Sequence, residues 1–293
     1  MTKKLFSNQT GSPAARNIIE ACGLVLALAL PSAARADTPT QPREFTSATQ
    51  SSSAIQLTWF PALVGDGETR HQVPSLLYRD GSLIAGPADI SIYVDIDLAP
   101  STTYAYEVRG QDVDGTIGPA ASVSGSTADL CGSPCSLFVS SAGPRFESYD
   151  PTGEIELGVL FNSDVDGTIT GIRFYKGSLD TASHTVSLWV SDGTLLGTAS
   201  APGSEGFGFQ VINFDQPVPI SANATYVASY HNLSPQFHGG LTDHYFDTGG
   251  PDNVPLHTLG ANGWYHQGPS GFPDQEAPDG RNFWVDVIFI PSP

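Results

Sequence analysis

Three strand-like segments of this 293-residue chain place aromatic and charged side chains at alternate positions. In 171–176, Arg173 and Tyr175 fall opposite Ile172 and Phe174. In 184–190, Trp189 falls with Thr185 and Ser187, opposite Val186 and Leu188. In 282–289, Trp284 and Asp286 fall with Asn282, opposite Phe283, Val285, Val287 and Phe289. Residues two apart on a strand share a face. If the strands lie in one sheet, Arg173, Tyr175, Trp189, Trp284 and Asp286 line one surface. Such a surface suits a glycan, with flat rings for sugar faces and Arg and Asp for hydroxyls. The alternative is packing, with the tryptophans under a loop and Arg173–Asp286 an internal ion pair. Trp264, Tyr265 and His266 form a second aromatic cluster inside a Gly/Pro-rich stretch, where ligand contact and packing of the loop explain it equally.

Metal and catalytic chemistry leave weaker marks. The run Asn162-Ser163-Asp164-Val165-Asp166-Gly167 sets acidic oxygens at alternate positions before a glycine, as at the start of a calcium loop. The distal Glu of an EF-hand is missing, so a structural calcium on Asp164 and Asp166 competes with a plain Asp-Gly turn. No cofactor is required by anything in the sequence. Five of the seven histidines, His231, His238, His244, His257 and His266, fall between 231 and 281 with no zinc spacing. Neither a Gly-x-Ser-x-Gly elbow nor a phosphate loop nor a dinucleotide fingerprint occurs. Cys131 and Cys135 flank Gly-Ser-Pro, a short loop suited to a local disulfide, with a metal pair as the alternative.

The elements that must position these residues are strands. Residues 1–36 read instead as an export signal: Lys3, Lys4 and Arg16, then the apolar run 23–30, Pro31, and the small-residue site Ala34-Arg35-Ala36. The apolar run is far shorter than the roughly 20 residues of a membrane span. The mature chain is expected to begin at Asp37, without membrane insertion after cleavage, secreted or periplasmic, or at the cell surface. Beyond it, 55–59 and 104–109 alternate apolar and polar, and Asp80-Gly81 marks a hairpin. Residues 129–145, with Pro134, Gly143 and the two cysteines, read as a linker. Strand patterns resume at 146, and 231–281 reads mostly as a long loop, a length that is usually functional. With Gly 31 and Pro 23, and no amphipathic helix of normal length, the fold class expected is all-β, two β-sandwiches in sequence.

Residues 41–128 resemble a fibronectin type III domain. The resemblance rests on Trp59, the Tyr78-Arg79-Asp80-Gly81 turn, and Leu98-Ala99-Pro100-Ser101-Thr102-Thr103-Tyr104. It implies a β-sandwich spacer or interaction module in which Leu98 and Tyr104 pack at the inter-sheet corner. Residues 146–290 resemble a secreted bacterial family, domain of unknown function 4082. The motifs are Glu156-Leu157-Gly158-Val159-Leu160-Phe161, Asp166-Gly167-Thr168-Ile169-Thr170-Gly171-Ile172-Arg173-Phe174-Tyr175-Lys176, His184-Thr185-Val186-Ser187-Leu188-Trp189, Tyr226-Val227-Ala228-Ser229-Tyr230 and Asn282-Phe283-Trp284-Val285-Asp286-Val287. Phe283 stands where that family has Tyr. The resemblance implies a jelly-roll-like sandwich and supplies no activity.

Charge narrows the partners. The chain carries −18, and loss of Lys3, Lys4, Arg16, Arg35 and Glu20 with the signal would take it to −21. Polyanions are repelled, which excludes nucleic acid and favours a neutral or cationic polysaccharide or surface glycan. The function expected is a non-catalytic binding or adhesion protein. The alternatives are a small hydrolase of glycan or exported polymer, and a purely structural spacer.

Overall fold

Nearly all of the regular secondary structure among the described residues is β-strand. The computed structural model describes residues 37–292 except 151–152, 204–205 and 234–236. The expected export signal, 1–36, lies outside the described residues. No described helix is long and apolar enough to cross a membrane.

The first sandwich contains β1 (Arg43–Thr49), β2 (Ile55–Phe60), β3 (Leu63–Val64), β4 (His71–Gln72), β5 (Ser75–Arg79), β6 (Ser82–Ala88), β7 (Ile92–Asp95), β8 (Thr103–Gly110) and β9 (Ala121–Ser126). A three-stranded sheet, β1-β2-β7, faces a four-stranded one, β6-β5-β8-β9. Ile55, Leu57, Trp59, Leu77, Tyr106 and Val108 fill the space between them. The Trp59 indole N–H donates to Ser75 Oγ at 3.0 Å, which satisfies the one polar atom of a buried ring. Asp80 and Gly81 both have positive φ, as the tight β5–β6 hairpin needs. Leu98 is buried, and the Tyr104 hydroxyl accepts the Ala99 amide at 3.0 Å. This is the β-sandwich that the fibronectin type III resemblance implied.

The second sandwich contains β10 (Glu147–Asp150), β11 (Ile155–Ser163), β12 (Gly167–Lys176), β13 (His184–Val190), β14 (Leu195–Ala201), β15 (Gly208–Ile220), β16 (Tyr226–Asn232), β17 (Phe237–Gly240), β18 (Asp252–Asn253), β19 (Leu256–Thr258), β20 (Trp264–Gln267), β21 (Gln275–Glu276) and β22 (Val285–Pro291). In one sheet β12 lies between β15 and β22, with β17 and β10 continuing beyond its end. The other runs β14-β13-β16-β11, and the free edge of β11 takes β20 at one end and β19 at the other. Leu157, Val159, Phe161, Val186 and Leu188 meet Ile169, Ile172, Phe174, Val285, Val287 and Phe289 in the core. Phe174 and Tyr230 stack across it with centroids 4.4 Å apart.

Residues 231–281 are mostly loop, as expected, and carry the short strands β17 to β21, each only two to four residues long, too short to show a period. One expectation needs correction. The segment expected as a linker, 129–145, is part of the second sandwich. It lies as a strap across the outer face of β22: Cys135 bridges Phe289, and Leu137 and Phe138 are buried. Burying two such side chains contributes about 1.5–3 kcal/mol each. The Cys131–Cys135 disulfide is formed at the start of the strap.

Asp37–Pro293 is one compact unit, because the outer face of β2 and β7 docks onto the second sandwich. Ala54 and Val94 join the second core. The Tyr245 hydroxyl donates to Gln50 Oε1 at 2.9 Å, the Ser52 amide to Asn253 Oδ1 at 3.1 Å, and the Val139 amide to Gln50 O at 2.8 Å.

Candidate functional site

The expected aromatic–polar surface is divided between two sheets. Arg173 on β12 and Asp286 on β22 are cross-strand partners, but the strap covers them. Arg173 Nε donates to Asp286 Oδ2 at 3.0 Å, and its Nη2 donates to the same oxygen and to Phe138 O. The Leu137 and Val287 amides donate to Asp286 Oδ1 at 2.7 and 2.6 Å. Asp286 has no exposed surface. Trp284 also has none, because its φ of +54° turns it under the strap, against Phe138 and Tyr245. Its indole N–H donates to Thr242 Oγ1 at 2.9 Å. Tyr175 packs edge-on against Phe209. Arg173, Asp286 and Trp284 are placed as the packing alternative described, with these donors and acceptors matched inside the fold, whereas Tyr175 is half-buried and packs through its ring.

Trp189, Trp264 and His266 do share a surface, the outer face of β13-β16-β11-β20. Registers there align Glu156 with His231 and His266, and Gly158 with Ser229 and Trp264. Tyr265, between Trp264 and His266, turns the other way and packs against the core. Residues 268–274 fold over this face. Phe272 meets Trp189 edge-on at 5.8 Å, Ser270 Oγ donates to Glu156 Oε2 at 2.9 Å, and His266 Nδ1 lies 3.1 Å from Asp274. Pro273 occupies the space above Gly158, where a Cβ would come within 3.1 Å of it.

Glu156 and Ser229 were not singled out by the sequence reading, and His231 was weighed there only as one of five histidines without zinc spacing. Ser229 Oγ donates to Glu156 Oε1 at 2.6 Å and accepts the Trp189 indole N–H at 2.9 Å. Burial pushes the Glu156 carboxyl above its ordinary pKa, against the pull of Ser229, Ser270 and His231. A carboxylate beside a serine and a histidine has the ingredients of acyl-transfer chemistry. Here both carboxylate oxygens and the serine hydroxyl are engaged beneath the loop, which makes the cluster its fastening. Alternation in 155–159 would have put Glu156 on the outer face; only the returning loop buries it.

The acidic pair is also divided. Asp164 Oδ2 lies 3.0 Å from His257 Nε2, and Asp252 Oδ1 lies 2.9 Å from the other ring nitrogen. Asp166 Oδ1 accepts the Ala222 amide at 2.8 Å. The two flanking carboxylates raise the His257 pKa against partial burial. No cluster of three or more acidic, His or Cys residues suited to a metal occurs among the described residues.

The concave site formed at the junction of the sandwiches was not foreseen. It is a cleft of about 350 Å³ whose floor is the polar face of β2, Gln56 and Thr58, with Ser91 and Ile92 beside it. Its walls are Arg145-Phe146 and Leu241-Thr242-Asp243-His244 from the second sandwich. The Arg145 guanidinium sits 5.1 Å from the ring centres of both Phe60 and Phe146. Phe146 is 66% exposed. Every charge on the walls has a protein partner: Arg145 pairs with Glu44 at 3.2 Å, Asp243 with Arg281 at 2.6 Å and His244 with Asp247 at 2.9 Å. Gln56 differs. It is 4% exposed, and its Nε2 donates to no protein atom. Period-2 patterning identified Gln56 and Thr58 as the polar side of a half-buried strand, but which surface that side meets depends on docking.

Residues 141–285 match the family described as Domain of unknown function (DUF4082). The match starts within the strap and runs to the first residue of β22. No curated protein matches the chain. Among solved structures, FN3tt is 20% identical over 31% of this chain and 95% of its own, with a TM-score of 0.25. A chitinase from Bacillus thuringiensis is 10% identical over 69% of this chain and 29% of its own, with a TM-score of 0.27. A two-domain fibronectin type III segment of chicken tenascin is 13% identical over 68% and 97%, with a TM-score of 0.24. Scores this low bear on neither the fold nor a ligand.

The DUF4082-matching residues supply both walls of the cleft, and the first sandwich supplies its floor. The cleft therefore exists only in the docked pair, and sites between domains are a common place for small-ligand binding.

Proposed function

We propose that this chain is an exported, non-catalytic binding protein that recognises a neutral carbohydrate in the cleft between its two sandwiches. The observation that carries this reading is Gln56 Nε2, a buried donor with no protein acceptor, on a residue that lines the cleft. Leaving such a group unpaired costs about 1–3 kcal/mol, a cost that a ligand hydroxyl offsets by accepting from it. Phe146 offers an exposed ring for a sugar face, and Ser91 a hydroxyl. The wall charges are matched internally, so the cleft presents hydrogen-bonding groups rather than a net charge. The acidic surface turns anionic polymers away.

The test is a glycan array with the chain from Asp37 onward, followed by two variants. Gln56→Leu removes the unpaired amide while keeping volume, so it should hold or raise the melting temperature and weaken binding several-fold. Phe146→Ala should lose about 1 kcal/mol of binding with stability unchanged. An array without a ligand, or both variants binding like the wild type, would return the molecule to the spacer reading.

A further inference from the structure

Ser91 also lines a second cavity, of about 310 Å³, together with Pro61, Gln72, Val73, Asp89 and Ile90. Ser91 belongs to both cavities. The backbone between them is held in place: Ser91 O accepts the Trp59 amide at 3.0 Å, and Ile90 O accepts Ser75 Oγ at 3.3 Å. The segment between the cavities is thus fixed, and Ser91 within it is small and exposed. The two ends differ chemically. The junction end has the unpaired Gln56 amide and paired charges, whereas the far end has the exposed carboxylate of Asp89 and the exposed amide of Gln72.

We infer that the ligand is an extended saccharide chain, which lies over Ser91 and fills both cavities. This rests on the carbohydrate reading of the junction cleft. A ligand closed at one unit would need a wall where Ser91 stands, and a hydroxyl there instead offers one more hydrogen bond to a chain passing over it. Pro61 and Val73 supply apolar surface for a further ring, and Asp89 accepts hydrogen bonds from its hydroxyls. Each cavity lies at the lower end of the size range for small-molecule sites, so the two together call for a ligand longer than either.

The experiment is calorimetric titration of the chain from Asp37 onward with β-1,4-glucan, xylan, mannan and chitin oligosaccharides, each from disaccharide to hexasaccharide. The expected result is one series whose affinity rises about tenfold or more with length. The double variant Asp89→Ala/Gln72→Ala should bind the hexasaccharide of that series several-fold more weakly and the disaccharide unchanged. Gln56→Leu should weaken both. Affinity independent of length, or a double variant that binds the hexasaccharide like the wild type while Gln56→Leu still weakens it, overturns the chain and leaves the cleft. No binding in any series, together with an empty array, overturns the cleft and the chain alike.

Discussion

Asp286 shows how a residue readable as a ligand contact becomes a structural one. Its place opposite Arg173 was legible from alternation, and so was the possible ion pair. What the sequence could not show was the strap, whose amides at Leu137 and Phe138 complete the carboxylate's partners. Removing one member of a buried pair strands the other, at a cost of about 3–5 kcal/mol. Asp286→Ala should therefore lose that much in a urea titration, and a loss below about 1 kcal/mol would show that the pair is not buried in solution. Glu156 gives a pH test. Its folded pKa is raised by burial, so the native state holds the proton to a higher pH than the unfolded chain does. Stability contributed by this group is fully present below the unfolded pKa and is lost as pH rises toward the folded one. Melting curves across that window should fall more steeply for the wild type than for Glu156→Gln; equal slopes would rule out the raised value.

At the scale of elements, the long strands were legible because their inner faces repeat every second residue over seven or more positions, as in β8, β11 and β13. The strap and the short strands between 237 and 276 were not. The strap contains Gly, Pro and Ser, the strands are too short to show a period, and the positions of strap and returning loop follow from partners distant in sequence: Asp286 for the strap, Glu156 and Trp189 for the returning loop. The strap's role can be measured by cutting the chain. A fragment of residues 129–293 should melt more cooperatively and at a higher temperature than one of 146–293, which lacks Leu137 and Phe138 and exposes Trp284. Identical melts would mean that the strap contributes nothing to the second sandwich.

For the whole molecule, two sandwiches in order could be read from motifs, but their docking could not. Ala54 and Val94 are single small or branched residues in the first sandwich, and nothing in their own segments marks them as part of the second core. With that surface shared, the chain from Asp37 onward should unfold in one transition when followed by tryptophan fluorescence and by far-ultraviolet circular dichroism. Two separated transitions would show that the sandwiches are energetically independent.

The hydrogen bond from Tyr245 to Gln50 acquires a second meaning once floor and walls of the cleft belong to different sandwiches. Recognition and docking are then thermodynamically reciprocal: a saccharide that bridges the wedge pulls the halves together, and whatever loosens the halves taxes the saccharide. Tyr245 is buried and does not line the cleft. Tyr245→Phe should nevertheless weaken binding, and saturating saccharide should restore part of the melting temperature that the variant loses. The same hydroxyl would thus adjust affinity remotely, by setting how rigidly the jaws are held.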